Sequence, residues 1–180
     1  MARPPRLHDA ALPRLVPQEA RVCEYCGCQA LAPIDELTRE HDAVLGLISR
    51  VRAAQAAGET SQMVELARQI AAVLGPHTEV EEQGLFPALE ADFPGHIATL
   101  KAEHLHIETV LEEASAGIPE DPAWCGRFTA ALQTLRQHIF AEQDGVFPAA
   151  LASLKTADWE TVEAVRARAG SAVLQPHIGG

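Results

Sequence analysis

Basic residues are scarce in this chain of 180 residues: 14 Lys and Arg stand against 25 Asp and Glu, a formal net charge of −11. Arg3, Arg6, Arg14 and Arg21 fall in the first 21 residues, which carry +2 and leave −13 on the remainder. A body that acidic repels phosphate backbones, so nucleic acid is not an expected partner. Long apolar runs are missing as well. None reaches the ~18 residues that span a bilayer, which excludes a membrane role. The N-terminus has arginines but no continuous apolar stretch, so no secretory signal is read. Cysteines number four, and three of them lie within the six residues Cys23–Cys28. That crowding builds no disulfide framework, and a reducing cytoplasm is the expected compartment. Strand-like alternation of β-branched residues is absent too. With 47% hydrophobic, 22% charged and 4% aromatic residues, the composition suits one globular domain.

What is present is helical periodicity. Pro4, Pro5, Pro13 and Pro17 break any pattern early on, and residues 1–32 read as an irregular N-terminal arm. Periodic segments follow from Ile34 to Gly58, and from Thr60 through a Gly75-Pro76 kink toward Asp92. Others run from about Ile97 to Gly117 and from about Ala123 past Pro148, with a shorter one near 157–169. An internal repeat organises the first four. His77-Thr-Glu-Val-Glu81-Glu-Gln-Gly84-Leu-Phe86-Pro87 returns as His138-Ile-Phe-Ala-Glu142-Gln-Asp-Gly145-Val-Phe147-Pro148, and Leu37-Thr-Arg-Glu40-His41 returns as Leu100-Lys-Ala-Glu103-His104. Two helical hairpins in tandem, each needing the other to cover its apolar stripe, predict an all-α, antiparallel up-down-up-down four-helix bundle over 33–154. A C-terminal helix and tail, 155–180, would pack outside it.

The apolar seams carry polar residues. Ile34, Leu37, His41, Val44, Ile48 and Val51 are spaced by alternating threes and fours, as are Ile97, Leu100, His104, Ile107, Leu111 and Ala114. The second seam reads Met63, Leu66, Ile70, Val73, His77, Glu81 and Leu85; the fourth reads Phe128, Ala131, Leu135, His138, Glu142 and Val146. Four His and two Glu thus hold positions that this pattern reserves for the interior. A second argument is independent of the pattern. Midway between His41 and His77 lies Glu59, midway between Glu81 and His104 the Asp92-Phe93-Pro94-Gly95 turn, and midway between His104 and His138 the Pro119–Pro122 segment. At ~1.5 Å rise per residue, antiparallel helices joined at those turns bring all six side chains to one layer.

Two unpartnered buried carboxylates would cost several kcal/mol each and repel one another. The residues could neutralise one another in a hydrogen-bonded cluster, but six such groups repeated over two hairpins are a heavy load for a domain of ~5–15 kcal/mol stability. Cations resolve it, and metal binding is the preferred reading. Four imidazoles and two carboxylates are too many for one tetrahedral zinc and too nitrogen-rich for calcium or magnesium. Each His-x-x-x-Glu puts both donors on one helix face, suited to an end-on His and a bridging carboxylate. Two bridges with two His at each end describe a dinuclear centre, for which iron fits best while manganese and zinc stay open.

These residues resemble the hemerythrin-like, or HHE cation-binding, family. The likeness covers about residues 34–152: a His, then His-x-x-x-Glu on the next helix, twice over, with the tails Leu85-Phe86-Pro87 and Val146-Phe147-Pro148. The resemblance implies a four-helix bundle holding two non-haem irons, often with an oxo or hydroxo bridge. His41 and His77 would serve one iron, His104 and His138 the other, with Glu81 and Glu142 bridging. The family's oxygen carriers have a fifth His where this chain has Glu108, read here as a terminal carboxylate ligand or an outer hydrogen-bond acceptor. A carboxylate there favours the ferric state, so reversible oxygen carriage is not carried over. The expected ligand is a small diatomic or peroxide, and the expected activity, if there is turnover, that of a peroxidase, catalase-like or nitric-oxide-consuming oxidoreductase. An iron or oxygen sensor, a storage protein and a zinc-loaded interaction module are the alternatives.

Outside that pattern, Cys23, Cys26 and Cys28 could hold an additional metal or cycle to a disulfide. Cys125, at the far end of the bundle, is a poor fourth ligand. His8, His96, His106 and His177 fall off the seams and are read as surface residues, Tyr25 and Trp124 as packing.

Overall fold

Seams of apolar residues at three- and four-residue spacing can be buried only if helices pack along them, and the computed structural model has that form. It describes residues 28–173, with side chains from residue 32 onward. Helix α1 spans Cys28–Ala57 and α2 spans Thr60–Val80. A five-residue π-helical turn, Glu81–Leu85, then leads into α3, Phe86–Leu89. After the turn at 90–93 come α4, Pro94–Glu112, and, past a longer loop, α5, Trp124–Ala141. A second π turn, Glu142–Val146, passes into α6, Phe147–Ser153, and α7 covers Thr156–Ala169. No strand occurs among the described residues.

Helix α1 packs on α2 and α4 on α5, and contacts of α2 with α4 and of α1 with α5 close the bundle. Every seam residue is buried except Ile34, which is half-buried at the open end of α1. Helix α1 begins before Pro33 and takes the proline in, at the cost of one backbone hydrogen bond. The rest of the expected arm, with Cys23, Tyr25, Cys26 and His8, lies outside the described residues, as does His177. Cys28 opens α1. Cys125 is half-buried against the core, His96 and His106 are exposed, and Trp124 is buried and stacked on Phe128 at 4.9 Å between ring centroids.

The helix does not break at Gly75-Pro76: α2 runs through both residues, and the departure from α geometry comes later, at Glu81. Phe86 N–H bonds to the Glu81 carbonyl, and Phe147 N–H to that of Glu142, five residues back instead of four. Pro87 and Pro148 supply the reason. Each ring lacks an N–H and would clash with the carbonyl four residues before it, and a widened turn relieves the clash. The extra residue rotates the chain so that Leu85 and Phe86 both point inward, as do Val146 and Phe147.

Helix α7 lies across the first π turn, burying Trp159, Val162 and Val165, each contributing about 2 kcal/mol. It starts where Asp158 accepts the backbone N–H of Lys155 and stops at Gly170, whose φ of +75° favours glycine. The approach is close at Gly84: a Cβ there would sit 3.0 Å from the Val162 Cα, whereas Gly145, its counterpart in the second repeat, faces open space. Gly84→Ala is therefore expected to lower stability by about 1–3 kcal/mol through overpacking. Gly145→Ala should instead leave it unchanged or raise it by up to ~1 kcal/mol through helix propensity. Paired denaturant melts check the contrast.

Candidate metal centre

The core is not continuous. One apolar cluster, containing Val44, Ile70, Ile107 and Leu135, fills the end of the bundle near the α1–α2 turn, and another, containing Leu37, Leu85, Leu100 and Val146, fills the opposite end. Along every seam the residues dividing the two are the polar ones. His41 comes from α1, His77 from α2, His104 from α4 and His138 from α5, while Glu81 and Glu142 each open a π turn. All six are at most 3% exposed.

Their atoms fall into two groups of four. His41, His77, Glu81 and Glu142 offer ligand atoms lying within 4.8 Å of one another, and so do His104, His138, Glu81 and Glu142. Both carboxylates belong to both groups. Glu142 spans them with separate oxygens, Oε2 lying 3.2 Å from His41 Nε2 and Oε1 lying 3.0 Å from His138 Nε2. Glu81 turns one oxygen toward both sides, 3.3 Å from His77 Nε2 and 3.4 Å from His104 Nε2. These approaches are close, yet none has hydrogen-bond geometry: both oxygens of Glu81, both of Glu142, and the Nε2 atoms of His104 and His138 are buried without a hydrogen-bond partner. So many orphaned acceptors in one layer would be prohibitive unless a cation served them. The ring nitrogens of His41 and His77 face each other at 3.1 Å, with room for at most one hydrogen between them.

Outer carboxylates orient the imidazoles. Nδ1 of His77 donates to Glu40 Oε2 at 2.9 Å, Nδ1 of His104 to Glu82 Oε1 at 2.9 Å, and Nδ1 of His138 to Glu103 Oε2 at 2.8 Å. A carboxylate can only accept, so in these three rings Nδ1 carries a proton, and Nε2 is the nitrogen turned into the layer and able to ligate once it is unprotonated. Phe147 stacks on His41 and Phe86 on His104, with ring centroids 5.5 and 5.8 Å apart.

Six of the seven residues expected as ligands are thus brought together. Glu108 is not: it is exposed on α4, belongs to neither group, and accepts a hydrogen bond from Thr78 Oγ1 at 3.0 Å. Thr78, Glu82, Glu40, Glu103 and the two stacked Phe rings are additions that seam spacing does not reveal. Glu40 and Glu103 did carry a signal, since each directly precedes a ligand His in the repeat.

Fold and donor set together define a cation-binding helical bundle. The Hemerythrin family model, the hemerythrin HHE cation binding domain, matches residues 32–150, and the chain belongs to that family. Compared with curated proteins and with solved structures, the chain has no match. No helix among the described residues is long and apolar enough to cross a membrane.

Without metal, protons play the neutralising part. Burial by itself would lower the His77 pKa, but the nearby Glu81 charge, the hydrogen bond to Glu40 and the Glu142 charge outweigh it and carry it up to about 10. His138, pulled down by burial and up by Glu142, Glu81 and Glu103, rises to about 9. Burial would raise the Glu81 carboxyl, yet the imidazoles of His77 and His104 close beside it hold it well below its usual range. For the two histidines the folded values lie above the unfolded ~6.5. Their contribution to stability is therefore complete below about pH 6.5 and disappears as pH rises through 9 to 10. The metal-free chain should accordingly melt at a lower temperature at pH 10 than at pH 6.5. Metal must displace those protons, so binding at pH 7 should release a proton from each of His77 and His138 and strengthen with pH. Calorimetry in buffers of different ionisation enthalpy measures the release.

Proposed function

We propose that the chain is a non-haem di-iron protein that binds or reacts with a small oxidant: oxygen, hydrogen peroxide or nitric oxide. The observation that carries this reading is two four-donor groups sharing both of their carboxylates, since a shared pair of bridges holds two cations side by side. Mixed imidazole and carboxylate donors suit iron, and a bound iron pair would supply the electrons that reduce such a molecule.

The protein's own residues restrict what can arrive. A cavity of about 10 Å³ opens beside the four imidazoles, walled by Leu74, Ile107 and Leu135 and edged by Thr78 and Glu108. That is room for about one water-sized molecule, so the space beside the imidazoles favours a very small ligand over an organic substrate. The two apolar clusters on either side keep bulk water from the layer. Glu108 is the carboxylate at the rim of this cavity, and Thr78 holds it there. It is placed to pass a proton to or from whatever the cavity holds. A far larger hollow between α1 and α5, lined by Ile48, Gln55, Gly126 and Gln133, contains none of the buried donors.

Loading the metal-free chain anaerobically with ferrous iron tests the reading. About two irons per chain should be retained, and adding peroxide, oxygen or nitric oxide should change the near-ultraviolet spectrum within the mixing time. His77→Ala should lose most of the iron. Retention of zinc in preference to iron, or iron indifferent to all three oxidants, would sink the proposal.

A further inference from the structure

The internal repeat makes the two halves of the centre near copies, so their differences stand out. On one side, His104 and His138 each donate Nδ1 to a carboxylate, Glu82 and Glu103, both about one-third exposed and neither paired with a cationic side chain. On the other, His77 donates to Glu40, but the Nδ1 of His41 is buried with no hydrogen-bond partner. The repeat explains the gap. The position equivalent to Glu82 is Gln143, which makes no such bond to His41.

Glu40 also differs from its counterpart Glu103. It is wholly buried and gripped by α7 and the residues just past its end: Arg166 Nη1 donates to Oε1 at 2.9 Å, Arg166 Nη2 to Oε2 at 2.8 Å, and Ser171 Oγ to Oε1 at 2.6 Å. Arg166 itself is tied down, with Nη1 also donating to the Gly170 carbonyl at 2.8 Å and Nε lying 3.4 Å from a Glu36 oxygen. The two-pronged grip fixes the carboxylate plane, and that plane aims Oε2 at His77 Nδ1. Arg166 and Ser171 lie beyond residue 150, where the family match ends.

We infer that the two metal positions are unequal, that the one at His41 and His77 is the weaker, and that its strength depends on Arg166 as a positioning residue supplied by α7. The inference rests on the metal-binding reading above. Two things lower the donor strength of this position. One imidazole lacks an orienting carboxylate, and the uncompensated charges of Glu82 and Glu103 stand at the opposite position. Loss of one such outer partner ordinarily costs about 10–100-fold in metal affinity, which sets the expected separation. Arg166 offsets part of the deficit by holding Glu40 in place.

Cobalt(II) titration of the full-length metal-free chain under nitrogen, against a competing chelator, reads the two steps separately. The wild-type chain should bind two equivalents with dissociation constants at least about tenfold apart. Arg166→Met should weaken only the second step, by about tenfold or more, and Glu103→Gln only the first. A purely structural role for Arg166 would shift both steps together or neither. Gln143→Glu, a half-buried change that leaves the α7 grip intact, should strengthen the second step and narrow the gap, so the inference is testable even if the Arg166 variant does not fold. Two steps of equal strength, or a Gln143→Glu variant with the gap unchanged, overturn the inequality alone. A folded wild-type chain that takes up no cobalt overturns the metal reading beneath it.

Discussion

Two carboxylates buried at the middle of an apolar bundle are the constraint to which the rest of this structure answers. Glu81 and Glu142 are fully removed from water and have no hydrogen-bond donors of their own, while four imidazoles converge on them. Charges so placed can be compensated by protons on the rings or by cations between them, and the geometry serves the second better. Protons leave four carboxylate oxygens without hydrogen bonds; cations in the layer would engage both carboxylates and the Nε2 atoms that face them. The polar layer also explains why the apolar core comes in two pieces, since no hydrophobic contact can cross it without displacing a donor.

The π turns make that layer attainable. An unbroken α-helix would carry Glu81 and Phe86 toward different neighbours, yet here the carboxylate faces the imidazoles while the ring five residues on stacks against His104. The same pairing recurs with Glu142, Phe147 and His41. A proline after each turn accompanies the widened hydrogen bonding twice at equivalent places, so the local irregularity and the site it serves repeat together.

Much of this was legible in the chain itself. Seam spacing placed all six interior donors, because a bundle helix keeps one face inward over many turns and a polar residue on that face has nowhere else to go. Turn chemistry at 58–60 and 92–95 set their common height. The π turns were not legible: counting at 3.6 residues per turn reads Pro87 as a tail and Gly75-Pro76 as the irregular point. Glu108, read as a terminal ligand or an outer hydrogen-bond acceptor, lies one turn beyond His104 at the cavity rim, outside both donor groups, where it accepts from Thr78. Arg166 left no signal at all. Its partner Glu40 is 126 residues away, and local periodicity is blind to contacts that only folding creates.

The order of the donors along the chain has a consequence for biosynthesis. As the polypeptide emerges from the ribosome, the first hairpin can present His41, His77 and Glu81, three of the four groups one position needs, but Glu142 arrives only when nearly the whole bundle has been made. Neither position can close on a nascent half-chain. The clasp onto Glu40 from Arg166 and Ser171 comes later still, after every bundle helix has been made.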